Sequence, residues 1–423
     1  MLTVPLDYAD PQGDTIDLDV IRLRSADPQR SLGPLFINPG GPGGSATGLV
    51  RSRGRQFNSR FDVYAFDPRG VAGTHALTCS KVSERSLREA DSRPDDPTEQ
   101  RQLEDAARGV ANACAATSGP LLANMTTDDA ARDLDQFRVA VGAESLTWFG
   151  FSYGTQLGLR YAELFPTRLR AAVLDGVVDP TKTLEDLLAD QTRALSAAIA
   201  RGFATCQTSG RCTADPRLAL DRLRTRVEQS PIGGTSQRLG PAELTLATVA
   251  SGYASTSMQT FAVAILIADR TGDVTDLIRL AQSYTNSGNF GTYLGVECTD
   301  GPRPVGAAAF RAFAERLATI DPDLGAPIAN ELLPCAFWPA PPGPVPQVVR
   351  ASHTAPILVI GTTGDPATPY SYAEAVAQTL ERATLLTHEG EGHTATFQSA
   401  CVRVLVDAYL HDLTMPEAGT RCR

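Results

Sequence analysis

Short apolar runs of strand length alternate with helical segments at both ends of this 423-residue chain, while the middle reads as helices alone. No other feature constrains the fold more, because strands separated by helices return in parallel through crossovers and build a sheet covered on both faces. Thr15 to Leu23 (TIDLDVIRL) alternates in the strand manner. Gly33 to Ile37 and Phe61 to Phe66 are further strand-like runs, the first emptying into NPGGPGGS and the second into DPRG. After a polar helical excursion over 81–110 come a helix from Thr127 to Val141, a strand from Ser145 to Phe149, a helix from Gln156 to Leu164 and a strand from Arg170 to Leu174. From about 180 to 352 the alternation stops, leaving helices (Leu184 to Ala204, Ala242 to Ala254, Thr260 to Ala268, Ala307 to Leu317) and a linker, PAPPGPVP, at 339–346. It resumes with the strand Pro356 to Gly361, the helix Ser371 to Leu380, the strand Thr384 to Thr387 and a closing helix from Ser399 to His411. A mostly parallel α/β sheet carrying one long helical insertion is expected.

Composition narrows the function classes. A 42% hydrophobic content without long biased stretches argues against disorder. A net charge of −10 disfavours nucleic acid or an anionic membrane as the main partner. Apolar runs such as Phe261 to Ala268 fall short of a bilayer span, so no transmembrane segment is expected. Cysteines stand at 79, 114, 206, 212, 298, 335, 401 and 422, with no CxxC pair and no histidine at ligand spacing, so no metal site is expected. An even set with wide gaps suits disulfides and an oxidising compartment, with buried free thiols as the alternative. The chain opens MLTVPLDY, already strand-like and without a signal-peptide pattern, so it reads as a trimmed mature form or as a protein kept inside the cell.

The sharpest chemical signal is Gly150-Phe151-Ser152-Tyr153-Gly154, between the strand LTWF and the helix QLGLRYAEL. Small flanking residues in that context allow a sharp turn that pushes a serine hydroxyl clear of the sheet. A serine needs a base, and the base needs an acid to orient it, in the chain order serine, acid, histidine. Asp365, in GDPATP after the strand PILVIG, and His393, in GEGH after TLLT, satisfy that order at the carboxyl ends of strands. His75, His353, His388 and His411 fit the order or the context worse. The oxyanion of an acyl-transfer intermediate needs two backbone donors. Tyr153 N–H is one expectation, and Gly41 in the Gly40–Gly44 loop the other, with Gly40 as the fallback.

With those residues in place, the chain resembles the secreted tripeptidyl aminopeptidase group of α/β-hydrolases, relatives of the proline iminopeptidases. The motifs run almost end to end: VPLDYADP, NPGGPGGS, FDPRGVAGT, TTDDAARDLD, GFSYGTQLG, VECTD, CAFWP, GDPATP, GEGHTA and the last helix between Cys401 and Cys422. The resemblance implies an α/β-hydrolase fold with a triad of Ser152, Asp365 and His393. It also implies a helical cap over 181–351, set between core segments 1–180 and 352–423. It implies export, and bridges Cys79–Cys114, Cys206–Cys212, Cys298–Cys335 and Cys401–Cys422, although spacing leaves connectivity open. Pro39 stands where proline iminopeptidases carry a histidine before their Gly-Gly-Pro-Gly, which favours the tripeptidyl branch.

An aminopeptidase must recognise a free α-ammonium, and relatives use acidic cap residues; Glu297 and Asp300 in VECTD are the candidates. Thr368 is expected to hydrogen-bond within the triad loop, and Asp67 and Arg69 to brace the oxyanion loop. The expected activity is removal of short peptides, tripeptides above all, from free N-termini through an acyl-enzyme, by a monomer without metal or organic cofactor. A carboxylesterase or small-amide hydrolase shares every triad feature and differs in the cap. A non-catalytic binding protein of this fold would not need the serine, acid, histidine and glycines together.

Overall fold

The computed structural model describes residues 1–234 and 238–423. Its strands are β1 (Leu2–Pro5), β2 (Thr15–Leu18), β3 (Val20–Leu23), β4 (Pro34–Asn38), β5 (Asp62–Phe66), β6 (Leu146–Phe151), β7 (Leu169–Asp175), the short pair β8 (Ile232–Gly233) and β9 (Arg238–Leu239), β10 (Ile357–Gly364), β11 (Ala383–Glu391) and β12 (Arg421–Cys422). Eight of them form one sheet in the order β12-β11-β10-β7-β6-β4-β5-β3. Only β3, on β5, is antiparallel; every other neighbouring pair is parallel. This is the α/β-hydrolase fold. Its strand order reverses between β4 and β6, the crevice where an open α/β sheet places its ligands.

The helices are α1 (Ala46–Arg53), α2 (Lys81–Glu89), α3 (Pro97–Ser118), α4 (Thr127–Ala140), α5 (Tyr153–Leu164), α6 (Leu184–Thr208), α7 (Pro216–Gln229), α8 (Pro241–Ser251), α9 (Ser255–Thr271), α10 (Thr275–Thr285), α11 (Phe290–Thr299), α12 (Ala307–Ala318), α13 (Gly325–Glu331), α14 (Tyr370–Thr379) and α15 (Ala400–Asp412). Successive strand residues point to opposite faces. Trp148, Leu174 and Val359 therefore join the core shared with α3, α4 and α5, while Phe149, Val173 and Leu358 join the core under α1 and α15. All six residues of β6 are buried, as expected of a central parallel strand.

Between β7 and β10 the chain packs in two ways. Apolar residues of α7, α8, α9 and α10 close on α6 as a separate helical core that includes Leu195, Leu223, Phe261 and Leu277. Helices α11 and α12 instead share the main core through Leu294, Val296, Phe310 and Phe313. All eight cysteines are paired, as Cys79–Cys114, Cys206–Cys212, Cys298–Cys335 and Cys401–Cys422. Among the described residues no helix is long and apolar enough to cross a membrane.

Some local expectations give way to tertiary contacts. The run Thr15 to Leu23 is not one strand: β2 pairs with β1 in a separate ribbon, and β3 crosses to the sheet edge. The switch falls at Asp19, whose carbonyl accepts Asp67 N–H at 2.9 Å. The helix expected over Ala242 to Ala254 stops at Ser251, and the one expected from Thr260 starts at Ser255. The 339–346 stretch has neither helix nor strand, yet Gly343 is tied to Gly301 (3.1 Å), at the end of α11.

Candidate active site

Ser152 sits between β6 and α5 with φ 54° and ψ −126°, a backbone conformation that costs about 1–3 kcal/mol for a residue with a side chain. Neighbours hold it there. Ser152 N–H donates to Asp175 O (3.0 Å), and Thr155 N–H donates to Ser152 O (2.8 Å). Only glycine fits at 150, because a side chain there would strike the Gly154 carbonyl and the Trp148 indole. At Gly40, with φ +87°, an added Cβ would lie 2.9 Å from Ser152 Cβ, so the β4 loop lies directly against the serine.

The two oxyanion candidates separate on this geometry. Gly40 N–H is already taken by Asn38 Oδ1 at 2.8 Å. Gly41 N–H donates to no protein group among the described residues. Tyr153 opens α5, so its N–H has no intrahelical acceptor. Gly41 and Tyr153 therefore present free donors on the two sides of the switch point. Asp67 fixes the end of the loop: its carboxylate accepts from Ser45 Oγ (3.0 Å), Thr47 N (3.0 Å) and Thr47 Oγ1 (2.7 Å) at the start of α1. Arg69 does not brace that loop. It is buried against Asp133 (2.7 and 2.8 Å) and donates to the carbonyls of Pro5, Leu6 and Asn124, tying the N-terminal ribbon to α4.

Asp365 and His393 meet at the ends of β10 and β11. His393 Nδ1 lies 2.9 and 3.0 Å from the two Asp365 carboxylate oxygens, so Nδ1 carries the proton and Nε2 presents its lone pair. Asp365 is buried and also accepts from Ala367 N (2.9 Å), Thr368 N (2.9 Å), Thr368 Oγ1 (3.0 Å) and Thr394 N (3.3 Å). Thr368 thus stands within the Asp365 loop, its hydroxyl 3.3 Å from His393 Nδ1. Burial works against the imidazolium, but the charge and hydrogen bond of Asp365, with Asp175 behind, outweigh it and hold His393 above its usual value. His393 Nε2 is buried and has no hydrogen-bond partner among the described residues.

Asp175, the last residue of β7, joins the two halves. Its carbonyl takes Ser152 N–H, and its buried carboxylate accepts from Ala395 N (2.9 Å) and Thr396 N (2.8 Å), just past His393. A side chain on the adjacent Gly176 would reach His393 Cε1 at 3.1 Å. The serine elbow and the histidine loop therefore converge on the tip of β7.

The acidic candidates part company. Asp300 accepts from Thr127 N (2.7 Å), Thr127 Oγ1 (2.6 Å) and Gln156 Nε2 (2.9 Å), so it serves the N-terminus of α4. Thr127, its proton committed to Asp300, accepts from Tyr153 OH at 2.8 Å. Glu297 makes no hydrogen bond or ion pair among the described residues. Burial, then the negative charges of Asp300 and Glu331, push it up to about 8. Glu331, at the end of α13, was not anticipated; burial raises it to about 7, and its one side-chain partner among the described residues is Tyr284 OH at 3.4 Å. Tyr293 lies within the field of both carboxylates. Glu297 and Glu331 are thus two half-buried carboxylates within each other's field, beside tyrosines, with no cationic partner among the described residues. Glu331 stands four residues before Cys335, and the Cys298–Cys335 bridge, implied by the resemblance, was the one sequence signal that could have brought it beside Glu297.

Residues 321–422 match the family described as TAP-like protein. The chain is 32% identical to the serine protease Hip1 of Mycobacterium tuberculosis, over 100% of this chain and 86% of that protein. It is 34% identical to carboxylesterase B of the same organism, over 100% and 85%, and 31% identical to the tripeptidyl aminopeptidase of Streptomyces lividans, over 97% and 80%.

Proposed function

The chain belongs to the TAP-like family of α/β-hydrolases, and from that premise we propose that this serine hydrolase is an exopeptidase releasing short peptides, tripeptides above all, from free N-termini. The observation that carries this reading is the cation-free pair Glu297 and Glu331, which suits a substrate α-ammonium. Asp300 is assigned instead to holding α4 and, through Thr127, the Tyr153 side chain. Residues 181–351 act as the cap that supplies the pocket.

In the proposed reaction Ser152 Oγ attacks the scissile carbonyl while His393 Nε2 takes its proton. Asp365 holds the tautomer and stabilises the imidazolium. Gly41 and Tyr153 N–H groups receive the oxyanion, where one such donor contributes about 3–4 kcal/mol. The imidazolium then protonates the leaving amine, and water, deprotonated by His393, hydrolyses the acyl-serine. The four disulfides support an oxidising, extracytoplasmic compartment.

A second reading, a carboxylesterase, is favoured by the relative of that name. The deciding assay compares a free tripeptide p-nitroanilide, its N-acetylated twin and a p-nitrophenyl ester, with Ser152→Ala as control. Preference for the free tripeptide is expected. Ester turnover with no anilide turnover would transfer the triad to small-molecule esters and discard the peptidase.

A further inference from the structure

We propose that Tyr253, in the turn between α8 and α9, is a positioning residue for His393, through which the cap sets the general base. The inference rests on the assignment of His393 as that base. Tyr253 O accepts His393 N–H at 3.0 Å, and the adjacent Ala254 pairs with Gly392 in an antiparallel bridge. The Tyr253 ring stands perpendicular to the imidazole, at 88° and 5.5 Å between centroids. It also lies 6.2 Å from the ring of Tyr284, which hydrogen-bonds Glu331.

Hydrogen bonds from Nδ1 to Asp365 hold one edge of the imidazole and leave it free to swing about that edge. The Tyr253 ring packs edge-to-face against the imidazole and opposes this swing, with the Gly176 backbone close to Cε1. Helix α6 reinforces the arrangement. Gln191 Nε2 donates to Ala367 O (2.8 Å) in the acid loop, and Arg201 pairs with both oxygens of Glu391 (2.8 and 2.9 Å), two residues before His393. These two side chains are ten residues apart, about 15 Å along the helix, so one rigid element of the cap grips both catalytic loops.

The test uses the full chain carrying Tyr253→Phe or Tyr253→Leu, with Ser152→Ala and His393→Ala as controls. Its substrates are a short p-nitrophenyl ester, which lacks the ammonium, and a fluorophosphonate that labels the serine. Tyr253→Phe should keep kcat and labelling rate within about twofold. Tyr253→Leu should lower both about ten- to a hundredfold at unchanged ester KM and Tm, the scale of a small misplacement of a catalytic group. Full activity in Tyr253→Leu, equal loss in Tyr253→Phe, or a change confined to the KM of free-amine peptides overturns the inference. Should Tyr253→Leu not fold, Tyr253→Met replaces it. The downfield His393 Nδ1–H resonance is then read by NMR: sharp in wild type and Tyr253→Phe, and broadened in Tyr253→Met; a resonance that ignores the ring overturns the inference. Labelling that survives His393→Ala would instead overturn the assignment of the base.

Discussion

Replacing Glu331 with glutamine probes the acidic pocket directly, because it keeps the shape of the side chain and an acceptor for Tyr284 while removing the charge. Burial holds Glu331 at about 7, whereas a peptide α-amino group titrates at about 7.7–8.0. Capture needs the ionised carboxylate and the protonated amine together. Rising pH therefore first improves the kcat/KM of a free-amine peptide, as Glu331 ionises, and then lowers it, as the amine loses its proton. At pH 6 only about a tenth of Glu331 is ionised, and at pH 9 under about a tenth of the amine is charged, against about a half in the right joint state near pH 7.5. The ratio of free to N-acetylated substrate should thus fall about fivefold or more on either side of its optimum, and taking the ratio cancels the titration of His393. A charge-assisted contact contributes about 1.5–3 kcal/mol, so Glu331→Gln should lower kcat/KM for the free amine about ten- to a hundredfold. The N-acetylated anilide and the ester should be untouched. A ratio in the variant that keeps the wild-type value and acid limb, or an equal loss on the N-acetylated substrate, would refute the reasoning.

Asp365→Asn should lower kcat about ten-thousandfold on ester and anilide alike by offering His393 Nδ1 a donor in place of an acceptor; a loss under about tenfold in steady-state assays would show that another group orients the base. Asp300→Ala strands Thr127 and Gln156 and should cost about 1–3 kcal/mol in urea unfolding, with an unmoved midpoint contradicting its role at α4. Replacing Cys298 and Cys335 together by serine opens a crosslink spanning 37 residues, at a cost of about 4 kcal/mol. Because Glu297 and Glu331 flank that bridge, KM should rise for free-amine peptides and not for the ester. Equal KM values would separate the bridge from the pocket.

What the sequence by itself determined is the set of features built from neighbours along the chain. The alternation of strands and helices specified a mostly parallel sheet, because periodicity is a local property of apolar side chains. GFSYG specified the elbow, because small flanking residues and a strand-to-helix junction are local as well. Asp365 and His393 were legible because each ends a strand of that sheet. Where one segment had to choose among distant partners, sequence ran out. Gly40 and Gly41 look alike in the sequence, and only the folded conformation of the loop after β4 hands one of their N–H groups to Asn38 Oδ1, two residues back. Glu297 and Asp300 lie three residues apart and look interchangeable, yet the fold turns Asp300 to the start of α4 and leaves Glu297 unpaired among the described residues, within the field of Glu331. Asp175 and Tyr253 carry no motif; their contacts exist only once β7 and the turn between α8 and α9 reach the His393 loop. Tertiary structure decided these roles because a carboxylate or an aromatic ring takes its function from whatever charge, proton or face is packed against it.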